Sequence, residues 1–207
     1  MGLVPLRHPV NASTSEPKKI IAQASTVVMA SKATPSFPNS SIDHDSWRNS
    51  PATAPKAPYS DYTRRDTIVV ISQPSGQSCG VVGGIMATRM KHLGAQGIVV
   101  DGRVRDLVSL AELGLPVWSK GTSIIGAGAE TKVHALDCPL KIGETDVKPG
   151  DIVMIDPFEN GVVAIPHEKV DEVLALLPKL VAADEKVIEE VEAGISVAEA
   201  FKRHRNT

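Results

Sequence analysis

The residue types most able to do chemistry stand in one stretch, GVVGGIMATRMKHLGAQGIVVDGRVRD, residues 80–106. Gly83-Gly84 precedes a run with helical spacing, and Arg105-Asp106 closes the stretch. A helix from Gly84 to Leu93 spans about 15 Å at its usual rise per residue. The strand Gly97 to Asp101 then runs back about 16 Å. The two lengths nearly cancel, so Arg105 and Asp106 return to the level of the helix start. Unpaired N–H groups there favour an anion, and glycine lets the anion come close to the backbone. The planar guanidinium of Arg105 can hold a carboxylate or keto-acid oxygen through two hydrogen bonds. The carboxylate of Asp106 is a hard oxygen ligand for Mg²⁺ or Mn²⁺, ions that take few protein ligands and keep several waters. Such a pocket suits a small oxo-acid whose carbonyl a metal polarises. Spacing alone also admits a plainer reading, in which Asp106 caps the helix at Leu107, Arg105 is a solvated charge and Gly83-Gly84 allows close packing.

Other chemistries find little support. There is no HExxH, CxxC, GxSxG or GxxxxGK[ST], and the six histidines are scattered. Asp43-His44-Asp45 has metal-friendly side chains but falls in a segment without hydrophobic period. Gly126-Ala127-Gly128 has Thr131 where a dinucleotide fingerprint needs its third glycine, and reads as a turn. Two cysteines, Cys79 and Cys138, fall short of a disulfide framework or a four-ligand zinc site. A net charge of −2 and few aromatic residues argue against a nucleic-acid partner. No apolar run approaches the ~18 residues of a membrane span. The Arg7-His8 and proline-bearing start is unlike a signal peptide, so a cytoplasmic protein is expected and the Asn-x-Ser triplets at Asn11 and Asn39 read as chance.

The elements that must position the site alternate. Thr67–Ser72, Gly97–Asp101 and Leu115–Ser119 read as apolar strands. Helices fall between them, Gly84–Leu93 stopped by Gly94 and Asp106–Leu113 stopped by Gly114. Alternation of this kind predicts an α/β domain. Strands are expected at Lys132–Leu136 and Leu140–Ile142. Pro149-Gly150 reads as a turn, and a hairpin joins Ile152–Asp156 to Val162–Pro166 through Asn160-Gly161. Helices follow, with Pro178 expected to break or kink the first, a second over Ala182–Ala193 and a last one over Val197–His204. Residues 1–65 stand apart from residues 66–207. The first 60 residues hold eight of the 15 prolines but only one of the 16 glycines. Ile20–Ala30 within them reads as a strand, and 31–60 as a Pro/Ser-rich, flexible insert.

The pattern of Gly84 followed by GIVVDGRVRD and ending on Arg105-Asp106 resembles the RraA-like family, which contains the 4-hydroxy-4-methyl-2-oxoglutarate aldolases and the regulator of ribonuclease activity A. The resemblance continues through LPVWSKGTS (115–123), KPGDIVMID (148–156) and ENGVVAIP (159–166). It implies a swivelling α/β/β domain with C-terminal helices, assembled as a homotrimer or a hexamer. It further implies a metal-dependent aldolase that cleaves 4-hydroxy-2-oxo acids to pyruvate and an oxo-acid and decarboxylates oxaloacetate. By motif match, Gly83, Gly84, Ile85 and Met86 offer backbone N–H groups to the substrate, Arg105 binds the pyruvyl part, and Asp106 ligates Mg²⁺ (or Mn²⁺). The chain departs from the family pattern in carrying Ser109 where an acid is expected and Gly84 where bacterial members carry one. Its N-terminus also lacks the usual Asp-Ala-Leu-like helix. A ribonuclease-binding regulator and an inactive truncated paralogue are the alternatives these departures leave open.

Overall fold

A computed structural model describes residues 4–5, 18–34 and 57–205. Asn11, Asn39, Asp43-His44-Asp45 and most of the 31–60 insert lie outside the described residues. The strands are β1 (Val4–Pro5), β2 (Ile20–Ser31), β3 (Thr67–Ser72), β4 (Gly80–Val82), β5 (Gly97–Val104), β6 (Val117–Thr122), β7 (Thr131–Leu136), β8 (Leu140–Ile142), β9 (Thr145–Val147), β10 (Ile152–Asp156) and β11 (Gly161–Ile165). The α-helices are α1 (Gly84–His92), α2 (Leu107–Glu112), α3 (Val170–Glu192) and α4 (Val197–His204). Compact units run from Met1 to Pro166 and from His167 to Thr207.

In the first unit a mixed sheet runs β1-β6-β5-β3-β2-β10-β11, with β4 alongside β5 and β7 alongside β2. The pairs β2/β3, β3/β5, β5/β6 and β4/β5 are parallel, and β2/β10 and β10/β11 antiparallel. β3 and the first half of β5 are continuous runs of buried residues, as parallel strands covered on both faces require. Alternate side chains serve two cores. Ile98 and Val100 pack on one face with Val69, Ile71, Ala87 and Met90, while Val99 packs on the other with Val70, Trp118 and Val153. β8 and β9 form a separate hairpin whose Leu140 and Val147 close over the second core.

β2 belongs to the segment set apart in sequence as 1–65, yet it lies mid-sheet between β3 and β10. Its β-branched run buries well there, whatever precedes it in the chain. The β10–β11 turn is longer than an Asn-Gly pair. Asp156 and Gly161 are paired across the ladder, so Pro157–Asn160 form the loop. Asp156 Oδ1 accepts from the N–H groups of Phe158 (2.9 Å) and Glu159 (3.2 Å), and Asn160 alone turns left-handed, with φ 54°. Only one of the two residues has the positive φ of a two-residue type I′ turn, which explains the difference.

Pro178 does not break the helix that contains it. In the C-terminal unit α3 continues from Val170 through Pro178 to Glu192, replacing the two expected helices with one. Proline removes a single hydrogen bond, to the carbonyl of Leu174, and helix-forming Leu, Ala, Glu and Lys on both sides sustain the rest. α3 ends in a Schellman turn. Gly194, with φ 94°, donates to Val191 O and Ile195 donates to Glu190 O, each at 3.0 Å. Ser196 then caps α4 by accepting from the Glu199 N–H. Among the described residues no helix is long and apolar enough to cross a membrane.

Candidate active site

The site is built where β4 and β5 end side by side. β4 runs into Gly83, the N-cap of α1, and the parallel β5 runs into Arg105-Asp106. The Arg105 N–H donates to Val82 O at 2.9 Å, extending the ladder and pinning Arg105 beside the helix start. Asp106 then leaves the strand with φ 60° and ψ 49°. Aspartate tolerates this left-handed conformation better than most residues, and the chain turns sharply into α2.

That turn swings the Asp106 carboxylate to α1. The Gly84 N–H donates to Asp106 Oδ2 at 3.0 Å, and Arg105 Nη1 donates to Asp106 Oδ1 at 3.0 Å. Asp106 makes no side-chain cap on its own helix, α2, so its role is across the site. Arg105 and Asp106 thus reach the helix start as expected, but β5 runs on to Val104, past the expected end at Asp101, so the two lengths do not cancel and the parallel β4/β5 pairing sets the meeting. The Gly84 N–H is not open to a ligand, because the nearest anion to the positive helix end is the protein's own carboxylate. The N–H groups of Ile85 and Met86 find no acceptor among the described residues, and the first intrahelical bond belongs to Ala87, donating to Gly83 O. Arg105 keeps Nε and Nη2 unengaged among the described residues.

Glycine at position 83 is a matter of space. Its φ of −133° suits any residue, but a Cβ there would stand 2.7 Å from Asp106 Oδ2 and 3.1 Å from Arg105 Nε. A Cβ on Gly84 would stand 2.9 Å from the Cβ of Ser109. The two positions where the chain departs from the family pattern thus face each other.

Gly83, Ile85, Met86 and Arg105 line a cleft of about 250 Å³, whose other walls are Pro58, Tyr59, Gly80, Val81, Ala127 and Val133. Tyr59, Ala127 and Val133 were not among the residues that spacing singled out. Tyr59 comes from a 3₁₀ turn, Tyr59–Tyr62, at the end of the proline-rich segment, where no periodicity marks it. Its hydroxyl donates to Val81 O at 2.8 Å, and burial pushes its phenol far above the ordinary range. Ser60 Oγ donates to the sulfur of Met86 at 3.3 Å and steadies that wall. Among the described residues no lysine lines the cleft. Glu130 holds the approach to β4 by accepting from the N–H groups of Ser78 (2.6 Å) and Cys79 (3.0 Å), which hold its carboxyl below the ordinary carboxylate range. A larger groove of about 370 Å³ lies by the β8–β9 hairpin, but its lining of Val, Ile, Ala and Thr side chains carries no titratable group.

A magnesium ion fits the donors present. Among the described residues no three His, Cys, Asp or Glu side chains gather into a protein cage. Magnesium needs only one or two carboxylates, with waters completing its shell. The Asp106 side chain is about one-third exposed, and each of its oxygens has one partner, so each retains a lone pair.

The architecture defines an α/β protein in which an Arg-Asp pair meets a glycine-bearing helix start beside a small cleft. The chain belongs to the RraA-like family, whose model, described as Aldolase/RraA, matches residues 8–164. A relative from Halalkalibacterium halodurans, named "Putative 4-hydroxy-4-methyl-2-oxoglutarate aldolase", is 30% identical over 118 residues, 57% of this chain and 55% of that protein. The chain spans about half the length of the curated relatives such as this one. Two crystal structures share the fold. One, an uncharacterized protein from Pseudomonas syringae pv. tomato, has a TM-score of 0.69 at 22% identity, covering 96% of this chain and 82% of its own. The other is RraAS2 of Streptomyces coelicolor, described as an unusual member of the RNase ES inhibitor RraA protein family. It has a TM-score of 0.62 at 24% identity, covering 93% of this chain and 81% of its own.

Proposed function

We propose that this protein is a divalent-metal-dependent lyase that cleaves 4-hydroxy-2-oxo acids to pyruvate and a second oxo-acid, and that also decarboxylates oxaloacetate. The observation that carries this reading is one small cleft lined by Arg105 and by Ile85 and Met86, whose N–H groups belong to the helix start, with the Asp106 carboxylate bonded to the neighbouring Gly84 N–H and to Arg105 itself. Arg105 holds the substrate carboxylate through Nε and Nη2. Asp106 holds Mg²⁺ or Mn²⁺, which when bound polarises the 2-oxo group as a Lewis acid. In the aldol cleavage the C3–C4 bond breaks, and its electron pair becomes the pyruvate enolate. The 4-hydroxyl passes its proton to water as the second carbonyl forms, and C3 takes a proton back from water to give pyruvate. In the decarboxylation the same enolate forms as carbon dioxide leaves. Arg105 and the two N–H groups stabilise this developing negative charge, usually the largest single contribution to such a reaction.

The test is pyruvate release from oxaloacetate and from 4-hydroxy-4-methyl-2-oxoglutarate, with Mg²⁺ and with EDTA. Asp106→Asn is the informative variant, since asparagine keeps the left-handed turn and an acceptor for Gly84 but loses the charge. Turnover should fall at least a hundredfold in Asp106→Asn and in EDTA, with the melting temperature little changed. Arg105→Lys should not restore what Arg105→Ala loses, because an ammonium cannot make the side-on pair. EDTA-resistant turnover would sink the metal route.

A second reading, a protein-binding regulator, is favoured by the exposed Leu174, Leu177 and Val181 of α3. The same stripe suits the subunit contacts of the homotrimer or hexamer that the family resemblance implies. A regulator should keep its effect on a ribonuclease in Arg105→Ala, whereas an enzyme loses turnover.

A further inference from the structure

Two segments far apart in sequence supply walls of the cleft and are tied together next to it. Tyr59 comes from the turn Tyr59–Tyr62, and Val133 comes from β7. Past Tyr59, Arg64 makes a two-pronged bond, at 2.5 and 2.6 Å, to Asp137, the residue that follows β7. Asp137 is a fixed post. It turns left-handed, with φ 52°, its N–H donates to Thr26 O at 3.0 Å, and Thr26 Oγ1 donates to Cys138 O at 2.7 Å. Thr26 belongs to β2, so the post stands on the middle of the sheet. Short bonds stiffen the chain around Arg64. The Thr63 hydroxyl donates to Ser60 O and the Thr67 hydroxyl to Arg64 O, each at 2.8 Å. Tyr59 is therefore held at two ends, its phenol by the bond to Val81 O and its backbone through Arg64. Tyr59 also lines a second void, of only about 10 Å³, together with Thr63, Leu136 and Asp137. That is about the least space that admits one water, so a shift at the pair passes to the ring rather than into slack. Another ion pair on this turn, Asp61 with Arg89, has side chains 38% and 43% exposed and contributes little. Arg64 and Asp137 are only 19% and 9% exposed, and their two-pronged geometry is the stronger kind.

We infer that Arg64 and Asp137 are a positioning pair for the substrate cleft: they set where the Tyr59 wall stands, and so how well the part of the substrate beyond the breaking bond is held. The inference rests on the lyase reading for what occupies the cleft. The oxo-acid head is positioned separately, by the β4/β5 ladder and the bond from the Arg105 N–H to Val82 O. Loosening the pair therefore weakens the grip on a long substrate more than on a short one and leaves the bond-breaking step alone. Contacts made equally in the ground and transition states change KM and not kcat. The two substrates differ in the required way. Beyond the breaking C3–C4 bond, 4-hydroxy-4-methyl-2-oxoglutarate carries a methyl, a hydroxyl and a carboxylate on C4, whereas oxaloacetate has only the departing carboxylate.

The experiment uses the whole chain with Mg²⁺ and compares the parent with Arg64→Lys and Asp137→Asn. Lysine keeps the charge but not the two-pronged geometry, and asparagine keeps the left-handed turn. In each variant KM for 4-hydroxy-4-methyl-2-oxoglutarate should rise on the order of fivefold, while KM for oxaloacetate and kcat for both acids move less than about twofold. A merely structural role would lower both kcat values in step with the thermal midpoint and leave the ratio of the two KM values untouched. A second readout follows the wall without any turnover. The chain has two tyrosines, Tyr59 and Tyr62, so tyrosine labelled with ¹³C at Cζ gives two ring signals, assigned with Tyr59→Phe. Burial keeps the Tyr59 phenol protonated past its ordinary value of 10, so in the parent its signal should stay flat there. In the variants that signal should begin to titrate as the wall loosens and water reaches the ring. If one variant fails to fold, the other carries the same test. A flat Tyr59 signal in the variants overturns the inference, as does an unchanged KM ratio or a matched loss of both kcat values. If the parent releases no pyruvate from either acid, the lyase reading falls, and the Tyr59 signal alone decides whether the pair holds the wall.

Discussion

At the scale of single residues, the site depends on how closely the backbone of Gly83 approaches the Arg105-Asp106 pair. A methyl group at 83 has nowhere to go except against Asp106 Oδ2 or Arg105 Nε. Gly83→Ala should therefore push both groups out of register while leaving the extended backbone unstrained. A displacement of about 1 Å costs on the order of a hundredfold in rate, so kcat/KM for oxaloacetate should drop by that order. The thermal midpoint should move by only a few degrees, which differential scanning calorimetry can check. The cysteines are a separate matter. Burial and the Asp137 carboxylate push the Cys138 thiol up to about 11, and burial pushes Cys79 up as well. Since the thiolate is the reactive form, alkylation of Cys138 by iodoacetamide should keep rising to about pH 11. A plateau near pH 9, followed by peptide mass spectrometry, would contradict that assignment.

At the scale of elements, ion pairs tie segments whose sequence positions are remote. Arg64, just before β3, makes a two-pronged bond to Asp137, just after β7, at 2.5 and 2.6 Å. This pair anchors the chain that follows the Tyr59 wall. In the C-terminal unit, Glu190 of α3 lies 3.0 Å from His204 Nε2 of α4 and accepts from Arg203 (3.3 Å) of the same helix. The neighbouring His204 first, and then Arg203, hold the Glu190 carboxyl below its ordinary value of 4.5. A carboxylate with a lowered folded pKa contributes stability above its unfolded value and loses it as pH falls through the folded one. The α3–α4 contact should accordingly loosen below about pH 4.5. Far-UV ellipticity should show an acid step that Glu190→Gln removes, and a step of the same size in that variant would reject the pairing. Pro178 belongs to this scale too. A local rule predicts a break, but a long run of helix formers on both sides outweighs one missing hydrogen bond.

At the scale of the whole molecule, the sheet of the first unit is the framework that makes the site possible. β5 alternates between two cores, so a loss on either face reaches the strand that ends in Arg105-Asp106. Ile98 is fully buried among Val69, Met90 and Val117. Ile98→Ala should cost about 2–5 kcal/mol, read as a lower urea midpoint with an unchanged slope. A variant within about 0.5 kcal/mol of the parent would mean that the site can collapse around the missing methyls.

Much of this was legible in one dimension because its causes are local. The runs TIVVIS and GIVVD are strands since only a doubly covered parallel sheet accommodates them, and Gly94 and Gly194 stop helices since they accept positive φ. The meeting of Gly83 with Arg105 was expected from spacing, but β5 runs past Asp101 to Val104, and its parallel pairing with β4 is what brings the two together. Tertiary structure decided what no period encodes. It placed β2 mid-sheet, brought Tyr59 from a proline-rich segment to the cleft wall, and brought Val133 to the same cleft from a strand whose partner lies about a hundred residues earlier. It also turned the Asp106 carboxylate onto the Gly84 N–H, which a spacing argument had left open for a ligand. The physical reason is the same in each case. Periodicity and capping are set by neighbours in the chain, whereas the walls of a pocket and the partner of a carboxylate are set by packing between segments that share no local signal.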